Sequence, residues 1–261
     1  MADKKRIKAL KEETIARLNI SDAQIESLSL QVEKFFYKYM DQVAELVRSS
    51  DEREVTEVAR ALTQFQNALK QAGGFDSVLK RIERIYGDEL ESIQKQLEKT
   101  SGKAVPVSAI DVANVQALVN DQISRAARLF EQHVGDVRTM IISSTIAGID
   151  PNIVAMRDDF GGRLASRLNT EITTSLSGYS RAVNQQKAAE LGLDHFIYLG
   201  PDDDITREFC QERVDRIFTQ EEIDSWDNGT DLPANIYCGG YNCRHQLRPI
   251  SAEFASELND D

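Results

Sequence analysis

The sequence predicts a mainly α protein: an extended helical bundle followed by a small α+β module at the C-terminus. Three observations predict it. Apolar residues recur at spacings of three and four over most of residues 7–176, the period of a helix that buries one face. Glycine, proline and capping signals cut that pattern into segments joined by short connections, as expected where neighbouring helices pack antiparallel. From His195 onward the pattern gives way to a β-prone run, turn residues and all three cysteines. The division that follows is a helical region over 1–104, a long-helix region over 105–193 and the C-terminal module over 194–261.

Taken in order, a short helix is predicted from Ile7 to Leu18. Ser21 and Gln24 have the spacing of a capping box that starts a second helix. Its stripe is Ile25, Leu28, Val32, Phe35, Tyr39, Val43 and Leu46, either a face packed within the bundle or a seam for self-association. A third helix carries Val55, Val58, Leu62, Phe65 and Leu69 from a cap at Ser50 or Asp51 to a stop at Gly73-Gly74. A fourth, capped by Asp76 or Ser77, carries Val78, Ile82, Ile85, Ile93 and Leu97, with Gly87 as a possible break.

The stretch Thr100–Pro106 mixes glycine, proline and small polar residues and reads as a boundary. Ser108 and Asp111 then form a second capping box. The helix after it buries Val112, Val115, Val119, Ile123, Phe130, Val134, Val137 and Ile141, with His133 read as a surface or half-buried residue. Gly148 to Pro151 is a stop followed by a start, the proline suiting a first helical turn. Helices to about Leu176 and from Ser180 to Leu191 follow, and Gly192 ends the second. Gly161-Gly162 lacks the lysine and hydroxyl residue of a phosphate loop, so a kink or close helix contact is expected there.

Composition narrows the function classes. The chain has 261 residues, enough for one large or two smaller cores. Its net charge of −12 argues against nucleic-acid binding through the bulk surface, which needs clustered Lys and Arg. No run of about 18 apolar residues suggests a membrane span, and the charged segment from Met1 to Glu13 lacks the apolar centre of a secretory signal. Three cysteines are odd in number and crowded, so a disulfide framework is not expected and synthesis in a reducing cytoplasm is.

The C-terminal module carries the chemistry. His195–Leu199 reads as a strand turned by Gly200-Pro201. An aspartate of Asp202-Asp203-Asp204 is expected to cap a short helical turn through Cys210. Arg216–Phe218 reads as a strand, and Thr219 with Glu222 as a third capping box, whose helix Asn228-Gly229 ends. Cys210, Cys238, Cys243 and His245 offer three thiolates and an imidazole, a four-ligand set for structural zinc. The alternative is partly buried free thiols with a hydrogen-bonded histidine; a catalytic Cys–His pair is a further one.

These residues also resemble a family. Asp203-x-x-Thr206-Arg207-x-x-Cys210, then Gly239-Gly240-x-x-Cys243-Arg244-His245, is similar to the C-terminal domain of the Mu F-like phage head morphogenesis proteins. The likeness covers about the last quarter of the chain. Two departures stand out: the family's closing histidine is missing upstream, and its last cysteine is His245 here, with Cys238 as the candidate replacement. The resemblance implies a non-enzymatic minor head protein of the virion, bound to the portal protein or the major capsid protein, with ejection alongside the DNA as an additional role it allows. Arg207 and Arg244 are candidates for orienting the module through bidentate contacts to Asp203 or to a backbone carbonyl. Rival expectations are a metal-dependent nuclease or protease using the Cys/His/Asp cluster, and a helical adaptor with no viral role.

Overall fold

The computed structural model describes residues 2–49, 56, 59–60, 62–64, 67, 74–101, 104–106, 108–149 and 151–259. Among the described residues four long helices dominate. Helix α1 runs unbroken over Ala2–Ser49, so the start expected at Ser21–Gln24 does not occur. No glycine or proline interrupts residues 2–49, and polar residues are accommodated inside the helix instead. Thr14 and Ser29 donate to the Leu10 and Ile25 carbonyls at 2.8 and 3.0 Å.

The stripe on α1 is real but rotated. Ile25, Leu28, Val32, Tyr39 and Val43 are buried, and Phe36 and Met40 join them. Phe35 is only half-buried, its ring 5.7 Å from that of Phe130. The side chain of Leu46 lies outside the described residues. So do most of the expected third helix (Val55, Val58, Phe65 and Leu69, with Ser50, Asp51 and Gly73); Leu62 is described and buried.

Helix α2 spans Gly74–Ser101, starting before Asp76 and Ser77 and continuing through Gly87. That glycine faces open space, and one exposed glycine costs a helix only about 1 kcal/mol. Beyond it Val105 packs with Ile93 and Leu97. Helix α3, Ala109–Ile146, opens on the expected box: the Asp111 N–H donates to Ser108 Oγ (3.1 Å) and the Ser108 N–H to Asp111 Oδ2 (2.7 Å). Val119, Phe130, Val134, Val137 and Ile141 are buried, Ile123 is half-buried, and Val112 is exposed; the Val115 side chain is outside the described residues. His133 is buried rather than superficial: Nδ1 donates to the Leu129 carbonyl at 2.8 Å and the ring meets Phe160 edge-on.

After Gly148, at φ +68°, helix α4 runs over Ile153–Leu191. Its cap is Asn152, whose Oδ1 accepts from the Ala155 N–H at 3.1 Å; Pro151 precedes the cap instead of occupying the first turn. The two helices expected here are one. Gly161 is buried against Tyr37 and Phe36, a close helix contact, while Gly162 is open. Gly192, at φ +70°, ends α4 as expected.

The rest is the small α+β module. Strands β1 (His195–Leu199), β2 (Ile217–Thr219) and β3 (Gln246–Ile250) form an antiparallel sheet in the order β2-β1-β3. Short helices α5 (Glu208–Gln211), α6 (Gln220–Asp224), α7 (Ala234–Tyr237) and α8 (Ala252–Asn259) fill the connections. The Thr219–Glu222 capping box opens α6. Side chains alternate across the sheet: Phe196, Tyr198 and Leu247 face the cysteines, while Ile197, Leu199 and Ile250 pack against Ile7 and Leu10 of α1.

Two compact units result, one from Met1–Gln24, Ile85–Val115 and Thr170–Asp261, the other from Ile25–Arg84 and Gln116–Asn169. This division cuts across the linear one at 104 and 193, because each long helix contributes to both units. Among the described residues no helix is long and apolar enough to cross a membrane.

Candidate metal centre

The loop from α7 to β3 takes its shape from three residues in the left-handed region: Cys238 (φ 50°), Gly240 (φ 89°) and Asn242 (φ 55°). Two of these are not glycine, and such positions persist only when the surroundings over-determine them. The surroundings do. The Cys238 N–H donates to the Ala234 carbonyl (2.8 Å) and its own carbonyl accepts from Asn228 Nδ2 (2.6 Å). The Asn242 N–H donates to Thr174 Oγ1 of α4 at 3.0 Å. Gly178 of α4 lies against the Tyr237 ring, where any Cβ would stand 2.7 Å from it.

This scaffold gathers Cys210, from α5, with Cys243 and His245, from the entry to β3. All three are buried, and their ligand atoms lie within 4.8 Å of one another. Cys210 Sγ is 3.7 Å from Cys243 Sγ, which is 3.6 Å from His245 Nδ1. Cys238 is fully buried in the same cluster but outside that close group. The acidic triplet stays away: Asp202, Asp203 and Asp204 are exposed, and α5 is preceded by Arg207 with no side-chain cap. Asp203 instead closes a turn, accepting from Thr206 Oγ1 at 2.9 Å.

The donor set fits a metal ion. His245 Nε2 is 2.9 Å from the Pro201 carbonyl. A carbonyl only accepts, so Nε2 carries the hydrogen and Nδ1 presents its lone pair to the thiols, the tautomer a metal-binding histidine needs. The ring is also stacked on Tyr198 at 5.2 Å. Gly239 gives the thiols room: a Cβ there would lie 2.5 Å from Cys210 Sγ, and its N–H donates to Cys243 Sγ at 3.3 Å. Gly200 does the same for the imidazole, where a Cβ would stand 2.5 Å from Cδ2. The residues thus could hold a metal.

Electrostatics single out one sulfur. The neighbouring Cys210 and Cys238 thiols pull Cys243 well below the ordinary thiol range, against the effect of burial. Its proximity to Cys243, together with burial, pushes Cys210 up, and burial first pushes Cys238 up. Tyr198, raised by burial and the cysteines around it, donates to Cys210 Sγ at 3.2 Å.

Sequence reading missed the residue beneath the site. Arg181 of α4 is fully buried. Its Nε and Nη2 donate to the His245 carbonyl (2.8 and 2.6 Å), Nη2 also to the Cys243 carbonyl (2.7 Å), and Nη1 to that of Ile236 (3.1 Å). The two arginines singled out from the sequence sit at the rim: Arg244 holds Asp203, and Arg207 Nη2 donates to the Tyr241 carbonyl at 2.8 Å. Behind the thiols Trp226 stands edge-on to Tyr198, Phe209 and Phe218, and Arg213 lies 3.8 Å over the Phe209 ring.

No family model, curated protein or solved structure matches the chain.

Proposed function

We propose that the chain is a non-enzymatic minor head protein of a phage, resident in the virion and bound to the portal or the inner face of the major capsid protein. One observation carries the reading. Residues of the Mu F-like order that lie far apart in sequence meet in one place: Asp203 with Arg244, Arg207 with the Tyr241 carbonyl, Gly239 against Cys210 and Cys243, and His245 beside Cys243. Mutual support of this kind is what a motif with a shared task requires, and it favours the reading. The long helices of both units suit a protein whose task is assembly.

Zinc is the metal this reading assigns to Cys210, Cys243 and His245. Tetrahedral zinc, with bonds of about 2.3 Å to sulfur and 2.0–2.1 Å to nitrogen, sets two sulfurs about 3.8 Å apart and a sulfur and nitrogen about 3.6 Å apart. The corresponding distances here are 3.7 and 3.6 Å. Bound there, zinc would cross-link a module too small for a strong core of its own. Burial of Cys210, and the upward push on its thiol, favour this structural role over a nucleophilic one.

Mass spectrometry of density-purified heads, before and after DNA release, tests the assignment. The chain is expected in heads at a few to tens of copies, and its loss on DNA release would add an ejected role. Absence from purified heads defeats the proposal.

A further inference from the structure

We propose that Arg181 sets the charge of the metal site, so that the site closes with three thiolates and Cys238 is the fourth ligand. The inference rests on the metal reading above and concerns a residue outside the motif.

The argument starts from a buried cation. Arg181 is 1 % exposed, its guanidinium stays ionised in proteins, and every hydrogen bond described for it ends on a neutral carbonyl, at Ile236, Cys243 or His245. Carbonyls satisfy its N–H groups but not its charge. A buried charge needs a compensating one close by, and the groups around it that can carry negative charge are the cysteines and Tyr198. A divalent ion with two thiolates and a neutral imidazole has no net charge and leaves Arg181 uncompensated. With three thiolates the site is −1, and Arg181 brings the whole to zero. The third thiolate has one candidate among the described residues. Cys238 is fully buried in the same cluster as Cys210 and Cys243, on the loop whose carbonyls Arg181 grips on both sides, at Ile236 and Cys243. A water as fourth ligand would leave the imbalance in place.

Three of the four donated bonds end on the carbonyls of ligand candidates, two on His245 and one on Cys243, so Arg181 is a positioning residue as well as a counter-charge. The two roles separate experimentally. Arg181→Lys keeps the charge and loses the fork; Arg181→Met loses both.

X-ray absorption at the zinc edge on the full-length, zinc-loaded protein tests the ligand count without any variant. Three sulfurs and one nitrogen support the proposal; two sulfurs overturn it while leaving the metal reading intact; absence of bound zinc overturns both. Arg181→Met is then expected to lower zinc retention against a competing chelator by about 10–100-fold, with Arg181→Lys recovering part of it. Arg181→Met that folds, keeps three sulfurs and holds zinc as tightly as the parent overturns the charge argument. Cys238→Ser is expected to drop the count to two sulfurs, and an unchanged count in that variant defeats the ligand assignment even if Arg181→Met does not fold.

Discussion

A single terminal nitrogen of Arg244 lies 2.7 Å from each carboxylate oxygen of Asp203. This is not the two-nitrogen fork that arginine often offers a carboxylate, yet it holds Asp203 while Asp203 in turn accepts from Thr206. Arg244, between two candidate ligands in sequence, thereby ties the turn after β1 to the start of β3.

The pair makes that turn acid-sensitive. Hydrogen bonds from Arg244 first and Thr206 second hold the Asp203 carboxyl below the usual range. A depressed folded-state value means the contribution is fully present above the unfolded value of about 3.9 and is lost as pH falls through the folded one. Protection of the Thr206 amide, which donates to the Asp203 carbonyl at 2.9 Å, should fall relative to its intrinsic exchange rate below about pH 4. Asp203→Asn should show low protection there at every pH; equal protection in both proteins contradicts the expectation.

Lys187 and Asp111 form a buried pair, Nζ to Oδ2 2.7 Å with both side chains 4 % exposed. Lys187→Met strands the carboxylate, and stranding a buried charge costs about 3–5 kcal/mol. Chemical denaturation should show that loss, and Asp111→Asn added to it should recover part. Additive losses in the double variant would mean the two residues do not act as a pair.

Gly239→Ala should damage the metal centre and spare the helices. The new methyl would stand 2.5 Å from Cys210 Sγ, a separation that forces the thiol or the loop to shift. Zinc content and helical circular dichroism, measured on one preparation, decide it: near-stoichiometric zinc in the variant would show that the loop gives way freely.

The chain has one tryptophan, and Trp226 lies 5.8 Å edge-on from Tyr198, which is stacked on His245. Chelation should therefore change Trp226 fluorescence while leaving far-ultraviolet dichroism largely unchanged. Loss of the helical signal in step with the fluorescence would place the metal's influence well beyond the module.

Much of the architecture was legible in residue order. Periodicity finds α3 and finds α4 as two pieces, and the boxes at Ser108 and Thr219 form as their spacing suggests. Errors came from local signals that tertiary structure overrides. Ser21 and Gln24 imitate a cap inside a helix that nothing interrupts, and the break expected between Leu176 and Ser180 falls inside α4. The ligand candidates are marked by their residue types and crowding. Arg181 is not, because a charged residue on a helix ordinarily faces water. Its one trace is the company it keeps: Ser177, Gly178 and Ser180 leave space on α4, and all are buried.

The unit that holds the candidate metal centre is stitched from residues 1–24, a middle stretch and the last third of the chain. Lys11 reaches Asp215 at 2.7 Å, and Ile7 and Leu10 cover one face of the sheet. On the ribosome, at about 5–20 residues per second, the opening helix therefore waits some tens of seconds for the strands it covers. During that interval α1 can meet the middle stretch, Arg17 with Glu89 and Glu13 with Lys99, but Ile7 and Leu10 have no sheet to cover, so that face is completed late. A lysate in which translation is synchronised should show the segment around Ile7 and Leu10 sensitive to protease until β3 has left the ribosome, and protected soon after.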